Sequence, residues 1–98
     1  MGYKSNDLGI EVGELTANNA EQLGFKDFKG AVITGVDNDG PAAVSGLREG
    51  MLIMKVGKQR VESVAEFKAA MEHESLDRGV LLLVRTDQGN RFVVLQNR

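Results

Sequence analysis

The sequence predicts a mixed α+β domain, mainly β: a partly open antiparallel β-barrel or sandwich of five to six strands, capped by two to three short helices. Three observations predict it. Stretches of alternating or β-branched apolar residues recur at 8–15, 30–36, 51–56, 79–85 and 91–96, the pattern of half-buried strands. The longest helical stretch spans only 64–73. Turn clusters ("DNDGP", "GKQR", "DQGN") separate the apolar stretches. Many strands with few short helices bury their faces best in a small barrel or sandwich with helices at its open ends.

Each element has a local reason. Leu8, Ile10 and Val12 alternate and share one face of a strand over 8–15. Thr16 suits the N-cap of a helix over 17–23, which Gly24 stops. Residues 25–29 form a polar connector carrying Phe25 and Phe28, and 30–36 is a second strand. Pro41 fits the first position of a short helix, "PAAVSG", ended by Gly46. Residues 51–56 form a third strand, "GKQR" turns the chain and Val61 returns it. Ser63 and Glu66 fit a capping box opening the helix over 64–73. Residues 79–85 are apolar on both faces, which predicts a central strand. "DQGN" turns into a closing strand over 91–96.

Bulk composition narrows the function. The chain has 98 residues, one domain with one modest core. Its net charge is −2 and only 5% of residues are aromatic, with no aromatic cluster among Lys and Arg, so nucleic acid is not an expected partner. The lack of cysteine excludes disulfides and thiol catalysis and argues against zinc, without fixing the compartment. The longest apolar run, Val80 to Val84, is too short to span a membrane. No signal peptide opens the sequence, and residues 1–7 read as an N-terminal extension or expression scar ahead of a domain over 8–96.

No catalytic set emerges. His73 is the single histidine, flanked by Glu72 and Glu74, and reads as a solvated residue near a helix C-terminus. Asp37, Asp39, Glu72, Glu74 and Asp77 are scattered through turns and a helix end. "DNDG" resembles the opening of a calcium loop but lacks the later ligands, including a closing glutamate. The serines at 5, 45, 63 and 75 have no histidine in a workable relay. The chain alone is expected to be no enzyme and to need no cofactor and no metal.

Gly9 is the informative residue. A glycine opening a strand weakens it unless bare backbone is needed there. Successive N–H groups in such a turn converge on an anion, and the absence of a Cβ lets a ligand approach. With apolar Leu8, Ile10 and Val12 around it, the matching anion is a peptide's C-terminal carboxylate preceded by an apolar side chain. The strand leaving the turn then pairs with that peptide by β-augmentation. The facing wall comes from the helix opened by Ser63, where Val64, Lys68 and Met71 share one face and Phe67 and Ala70 turn to the core. Methionine suits a pocket that accepts several side chains. The competing reading makes Leu8, Ile10, Val12 and Met71 ordinary core.

A resemblance adds weight. "GPAAVSGLREGMLIMKVGKQRVESVAEF" resembles the long signature of bacterial PDZ domains: G-x-P-A-A-x-x-G-L-[RK]-x-G, a strand, a G-K-x-V turn and S-x-x-E-F/L opening a helix. "LTANNAEQLGF" and "KGAVITGV" resemble the front half of PDZ domains in HtrA/Deg (DegP-like) serine proteases, and "DLGI" lies where that family's binding loop precedes its peptide-pairing strand. The similarity runs from about residue 8 to residue 96. It implies the permuted bacterial PDZ topology, with the N–H groups of Leu8, Gly9 and Ile10 as the carboxylate-binding loop. Leu8, Ile10, Val12, Val64, Lys68 and Met71 would form the groove and its pocket. Lys4 would add positive charge nearby. Three residues depart from the pattern: Met51 where Asp is usual, Asp7 beside the carboxylate site, and Lys68 in the helical wall, whose stem can pack while its ammonium reaches solvent.

The function implied is a non-catalytic module binding C-terminal or extended, unfolded apolar segments, for substrate capture or protease regulation in quality control. Its parent would be a trypsin-like serine endopeptidase of the bacterial periplasm or envelope. The isolated domain is expected to be a monomer, its further partner the parent's protease domain, and the parent a homo-oligomer. Two alternatives stand. One is a docking or scaffold domain, serving assembly, whose groove is unused or self-occupied; Asp7 favours it. The other is a PDZ domain of an intramembrane metalloprotease or carboxyl-terminal processing protease. The groove reading expects the strand from Leu8 to be an exposed edge facing the helix; pairing of Leu8 to Val12 on both sides within the chain would refute it, because no peptide could then add.

Overall fold

The computed structural model describes residues 2–96. The elements are β1 (Tyr3–Ser5), β2 (Ile10–Glu14), α1 (Ala17–Leu23), β3 (Ala31–Val36), α2 (Pro41–Val44), β4 (Leu52–Val56), β5 (Gln59–Arg60), α3 (Val64–Met71), β6 (Val80–Thr86) and β7 (Gly89–Leu95). The strands form one antiparallel sheet in the order β1-β2-β3-β4-β6-β7, with β5 paired to β4 off that path. The sheet does not close, and three short helices cap it, the mixed, mainly β class expected.

Local chemistry sets the helix ends. Thr16 accepts the Asn19 N–H at 3.2 Å while the Asn19 side chain accepts the Thr16 N–H at 2.7 Å, a reciprocal cap on α1. Gly24 closes α1 in the left-handed conformation. The Ser63 hydroxyl accepts the Glu66 N–H at 3.1 Å, but the Glu66 carboxylate reaches one residue further back, to the Glu62 N–H at 3.0 Å. The box at α3 is therefore widened by one residue. The helix also ends at Met71, short of the predicted His73.

Side-chain alternation divides the core. Val12, Ile33, Ile53, Leu82 and Val84 point to one face and pack with Phe67 of α3 and Leu47. Val32 and Leu52 point to the other, where Phe25, Phe28, Leu15 and Met54 gather. Strands β3 and β4 are apolar on both faces because both faces are covered. Strand β6 is central in the ladder, between β4 and β7, as predicted. Its outer face nevertheless stays in water: Leu81 is 46% exposed, and its cross-strand neighbour Val94 is 51% exposed. Two-sided apolar character here reports a place in the ladder, not burial on both faces.

Two boundaries differ from expectation where the function lies. The strand predicted over 8–15 begins only at Ile10, because residues 6–9 form a turn. Within the stretch read as an extension, Tyr3–Ser5 is a strand of the sheet; Met1 lies outside the described residues.

Candidate functional site

The turn before β2 is held by its carbonyl groups. The Leu8 C=O accepts the Ala42 N–H at 3.0 Å, and the Gly9 C=O accepts the Asp37 N–H at 2.9 Å. Both donors belong to the "DNDGPA" stretch, so the turn before α2 and the first residues of α2 clamp the loop. Gly9 has φ +70°, the left-handed region that disfavours a side chain. A Cβ on it would lie 3.0 Å from the Gly40 Cα and 3.4 Å from the Asp37 Cβ. The glycine is required by the loop's own backbone packing, which corrects the expectation that it clears space for a ligand.

With the carbonyls tied back, the amides face the other way. The Gly9 N–H donates to the Ser5 C=O at 2.9 Å, and the Leu8 N–H donates to the Ser5 hydroxyl at 3.3 Å. Ile10 lies opposite Ser5 in the β1–β2 ladder. The three residues named for the carboxylate loop thus lie together around one residue of the chain itself.

The far end of β2 is also fixed. The Glu14 carboxylate accepts the Val64 N–H at 2.8 Å, across a separation of 50 residues. This bond ties the end of β2 to the start of α3 and satisfies a donor that the helix leaves free.

Between these two ties, β2 and α3 line the groove. Val12 is fully buried, and Leu8, Ile10 and Val64 are nearly so. Met71 is partly buried against the same cluster, and Lys68 is exposed. Leu8, Lys68 and Met71 also border a cavity of about 240 Å³ together with Tyr3, Ser5 and Leu76, and the carboxylates of Asp7, Glu72 and Glu74 line it too. Leu8, Ile10, Val12 and Val64 all belong to the core cluster, and Ile10, Val12 and Val64 do not border the cavity. Phe67 and Ala70 face inward as expected, yet the Phe67 ring also meets the Tyr3 ring edge-on, at 6.4 Å and 60°.

The exposed edge expected for this strand is not present. β2 pairs with β3 on one side and with β1 on the other, in the register Tyr3↔Val12, Lys4↔Glu11, Ser5↔Ile10. The cause is the tight turn over 6–9, which folds the preceding residues back onto β2. Alternation then sends Lys4 to the face shared with Glu11, away from Tyr3 and Ser5. Lys4 is exposed on that face and does not border the cavity, whereas Asp7 does. Sequence reasoning missed Ser5, Tyr3 and Glu14. The only signals for them were a serine four residues before Gly9, a lone tyrosine two residues before that serine, and a glutamate closing the strand.

Comparison with known proteins shows the family and the fold. The PDZ domain profile matches residues 6–93. The chain is 35% identical over 91 residues to a probable periplasmic serine endoprotease, DegP-like, of Chlamydia muridarum, covering 92% of this chain and 18% of that protein. It is 36% identical over 92 residues to a protein of the same description from Pseudomonas putida strain F1, covering 94% of this chain and 19% of that protein. The chain thus spans about a fifth of the length of these relatives. Among solved structures, the HtrA3 PDZ domain bound to a phage-derived ligand (FGRWV) superposes with a TM-score of 0.78 at 20% identity, covering 98% of this chain and 88% of that one. The HtrA-type protease AlgW with a decapeptide superposes with a TM-score of 0.76 at 28% identity, covering 97% and 28%.

Proposed function

We propose that this chain, which belongs to the PDZ domain family, is the non-catalytic peptide-binding module of a periplasmic or envelope trypsin-like serine protease. It takes C-terminal or extended apolar segments by β-augmentation, for substrate capture or control of the protease domain. Because β1 and β3 hold both edges of β2, a peptide adds only where β1 gives up its place. The observation that carries the reading is the pair of loop amides, Leu8 and Gly9, converging on two oxygens of one residue, beside a cavity bordered by the apolar side chains of Leu8, Met71 and Leu76 and by the charged ones of Asp7, Lys68, Glu72 and Glu74. That arrangement suits a carboxylate, whose two oxygens replace the Ser5 carbonyl and hydroxyl. The periplasmic protease parent rests on the relatives' descriptions.

The test is calorimetric titration of peptides ending in an apolar residue, as free acids and as C-terminal amides. A Kd of roughly 1–100 μM, about 5.5–8 kcal/mol, is expected for the free acid. Amidation removes charge-assisted bonds worth about 1.5–3 kcal/mol each, so the amide should bind at least tenfold more weakly. Equal binding of acid and amide defeats the carboxylate reading.

A second reading has one observation in its favour. Because β1 already pairs with β2, the domain would dock other domains in an assembly and leave its groove self-occupied. Failure of every peptide to bind favours it.

A further inference from the structure

Strand β1 lies where the proposed ligand would lie and imitates it. It runs antiparallel to β2 and heads into the loop, the direction in which a peptide would approach with its C-terminus leading. Its last residue, Ser5, places a carbonyl oxygen and a hydroxyl oxygen on the Gly9 and Leu8 amides. Two residues earlier, Tyr3 rests edge-on against Phe67, with the Lys68 ammonium 5.4 Å from its ring centroid. The serine side chain is short, and the cavity of about 240 Å³ beside it stays open.

We infer that Tyr3–Ser5 is a tethered pseudo-ligand that must leave β2 before a peptide can bind, and that its register specifies the peptide: an aromatic residue third from the end and an apolar last residue larger than serine. The inference rests on the peptide-binding reading above and adds an intramolecular competitor to it. Phe67 and Lys68 offer the incoming aromatic the contacts Tyr3 now makes, an edge-on ring contact and a cation over its face. A larger last side chain occupies the space Ser5 leaves. While the strap is docked, the binding-competent fraction is small, and the apparent Kd is the intrinsic value divided by that fraction.

Composition makes the test clean. The chain has one tyrosine and no tryptophan, so its intrinsic emission reports Tyr3 alone. It has no cysteine, so the double variant Lys4→Cys/Glu11→Cys can form only one intramolecular disulfide. These residues face each other across β1 and β2. Directly opposed antiparallel positions lie within disulfide range, and both side chains are exposed on the face away from Tyr3 and Ser5.

The probe is the acetylated peptide Gly-Ser-Phe-Ser-Val with a free carboxylate. The oxidised double variant should bind it at least tenfold more weakly than the same protein after reduction, which should match the unmodified chain. Tyr3→Ala should tighten binding two- to tenfold. Saturating the unmodified chain should raise acrylamide quenching of Tyr3 towards that of free N-acetyltyrosinamide. Replacing the probe's Phe by Ala should weaken binding severalfold, and equal affinity would overturn the register. Equal binding by the oxidised and reduced forms, or saturation without a change in Tyr3 quenching, would overturn the strap while leaving the peptide-binding reading intact. Absence of binding by the unmodified chain, the reduced double variant and Tyr3→Ala alike would defeat the peptide-binding reading, and the competitor role with it.

Discussion

Three glycines allow the packing of the loop to be separated into its causes. Gly9 has φ +70°, and a Cβ there would lie 3.0 Å from the Gly40 Cα. Gly24 has φ +81° with nothing within 4 Å of an added Cβ. Gly40 has φ −83°, ordinary for any residue, but its Cβ would lie 3.0 Å from the Gly9 Cα. Gly24→Ala therefore tests the dihedral alone, Gly40→Ala the crowding alone, and Gly9→Ala both. The left-handed conformation costs an L-residue roughly 1–2 kcal/mol. Crowding a packed site costs about 1–3 kcal/mol. Alanine returns about 0.4–1 kcal/mol by restricting the unfolded chain. The expected net losses are about 1 kcal/mol for Gly24→Ala, about 1–2 for Gly40→Ala and about 2–4 for Gly9→Ala. At about 4–8 °C per kcal/mol for a domain of this size, Gly9→Ala should lower Tm by roughly 10–25 °C and Gly24→Ala by roughly 4–8 °C. Thermal melts followed by circular dichroism measure this. If Gly9→Ala melts with Gly24→Ala, or if Gly40→Ala is neutral, the close approach of the two backbones does not constrain the loop and the argument fails. Peptide affinity adds a second check: it should fall with Gly9→Ala and hold with Gly24→Ala.

Other perturbations read the remaining parts of the site. Phe67 is fully buried, so Phe67→Ala should cost about 3–5 kcal/mol in chemical denaturation; a loss under about 1 would contradict its place in the core. Glu14→Ala removes the acceptor of the Val64 N–H and should cost about 0.5–2 kcal/mol, with faster hydrogen exchange at that amide; unchanged exchange would show that the tie is not made. Asp7 borders the cavity, so Asp7→Asn should strengthen free-acid binding modestly at low salt, with the gap closing as salt rises; an identical salt dependence in both proteins counts against it. The isolated chain should not hydrolyse casein, and activity above a buffer blank that survives repurification would overturn its assignment as a binding module.

The sequence announced elements whose causes are local. Thr16 and Gly24 mark the ends of α1 by side-chain chemistry and backbone freedom, and Ser63 starts α3 for the same kind of reason. The 3.6-residue period separated Phe67 and Ala70 from Lys68 correctly. What stayed hidden depends on contacts between distant segments. The Gly9–Gly40 approach joins two turns, and neither glycine by itself says what it must clear. Glu14 ties β2 to α3 across 50 residues, with no motif to announce it. Tyr3–Ser5 is too short for periodicity to register as a strand, and its pairing follows from the direction in which the turn over 6–9 returns the chain.

The ties at the two ends of β2 decide what can move. The clamp on Leu8 and Gly9 ties one end to the turn before α2 and to α2, and the Glu14–Val64 bond ties the other end to the start of α3. Strand β1 is the piece whose departure disturbs neither tie. Its advantage over a free peptide is the tether, which gives an effective concentration of about a millimolar for a short linker. Its disadvantage is chemical. Ser5 offers neutral oxygens, and such bonds contribute about 0.5–1.5 kcal/mol each, whereas a carboxylate on the same amides contributes about 1.5–3. Over two amides the carboxylate gains about 2–3 kcal/mol, roughly 30- to 150-fold in affinity. At that ratio a peptide at tens of micromolar matches the tethered segment. If Tyr3–Ser5 is displaced as inferred, peptides without a free carboxylate would lack that gain and be held off, so the segment occupying the groove would also sharpen its selectivity for chain ends.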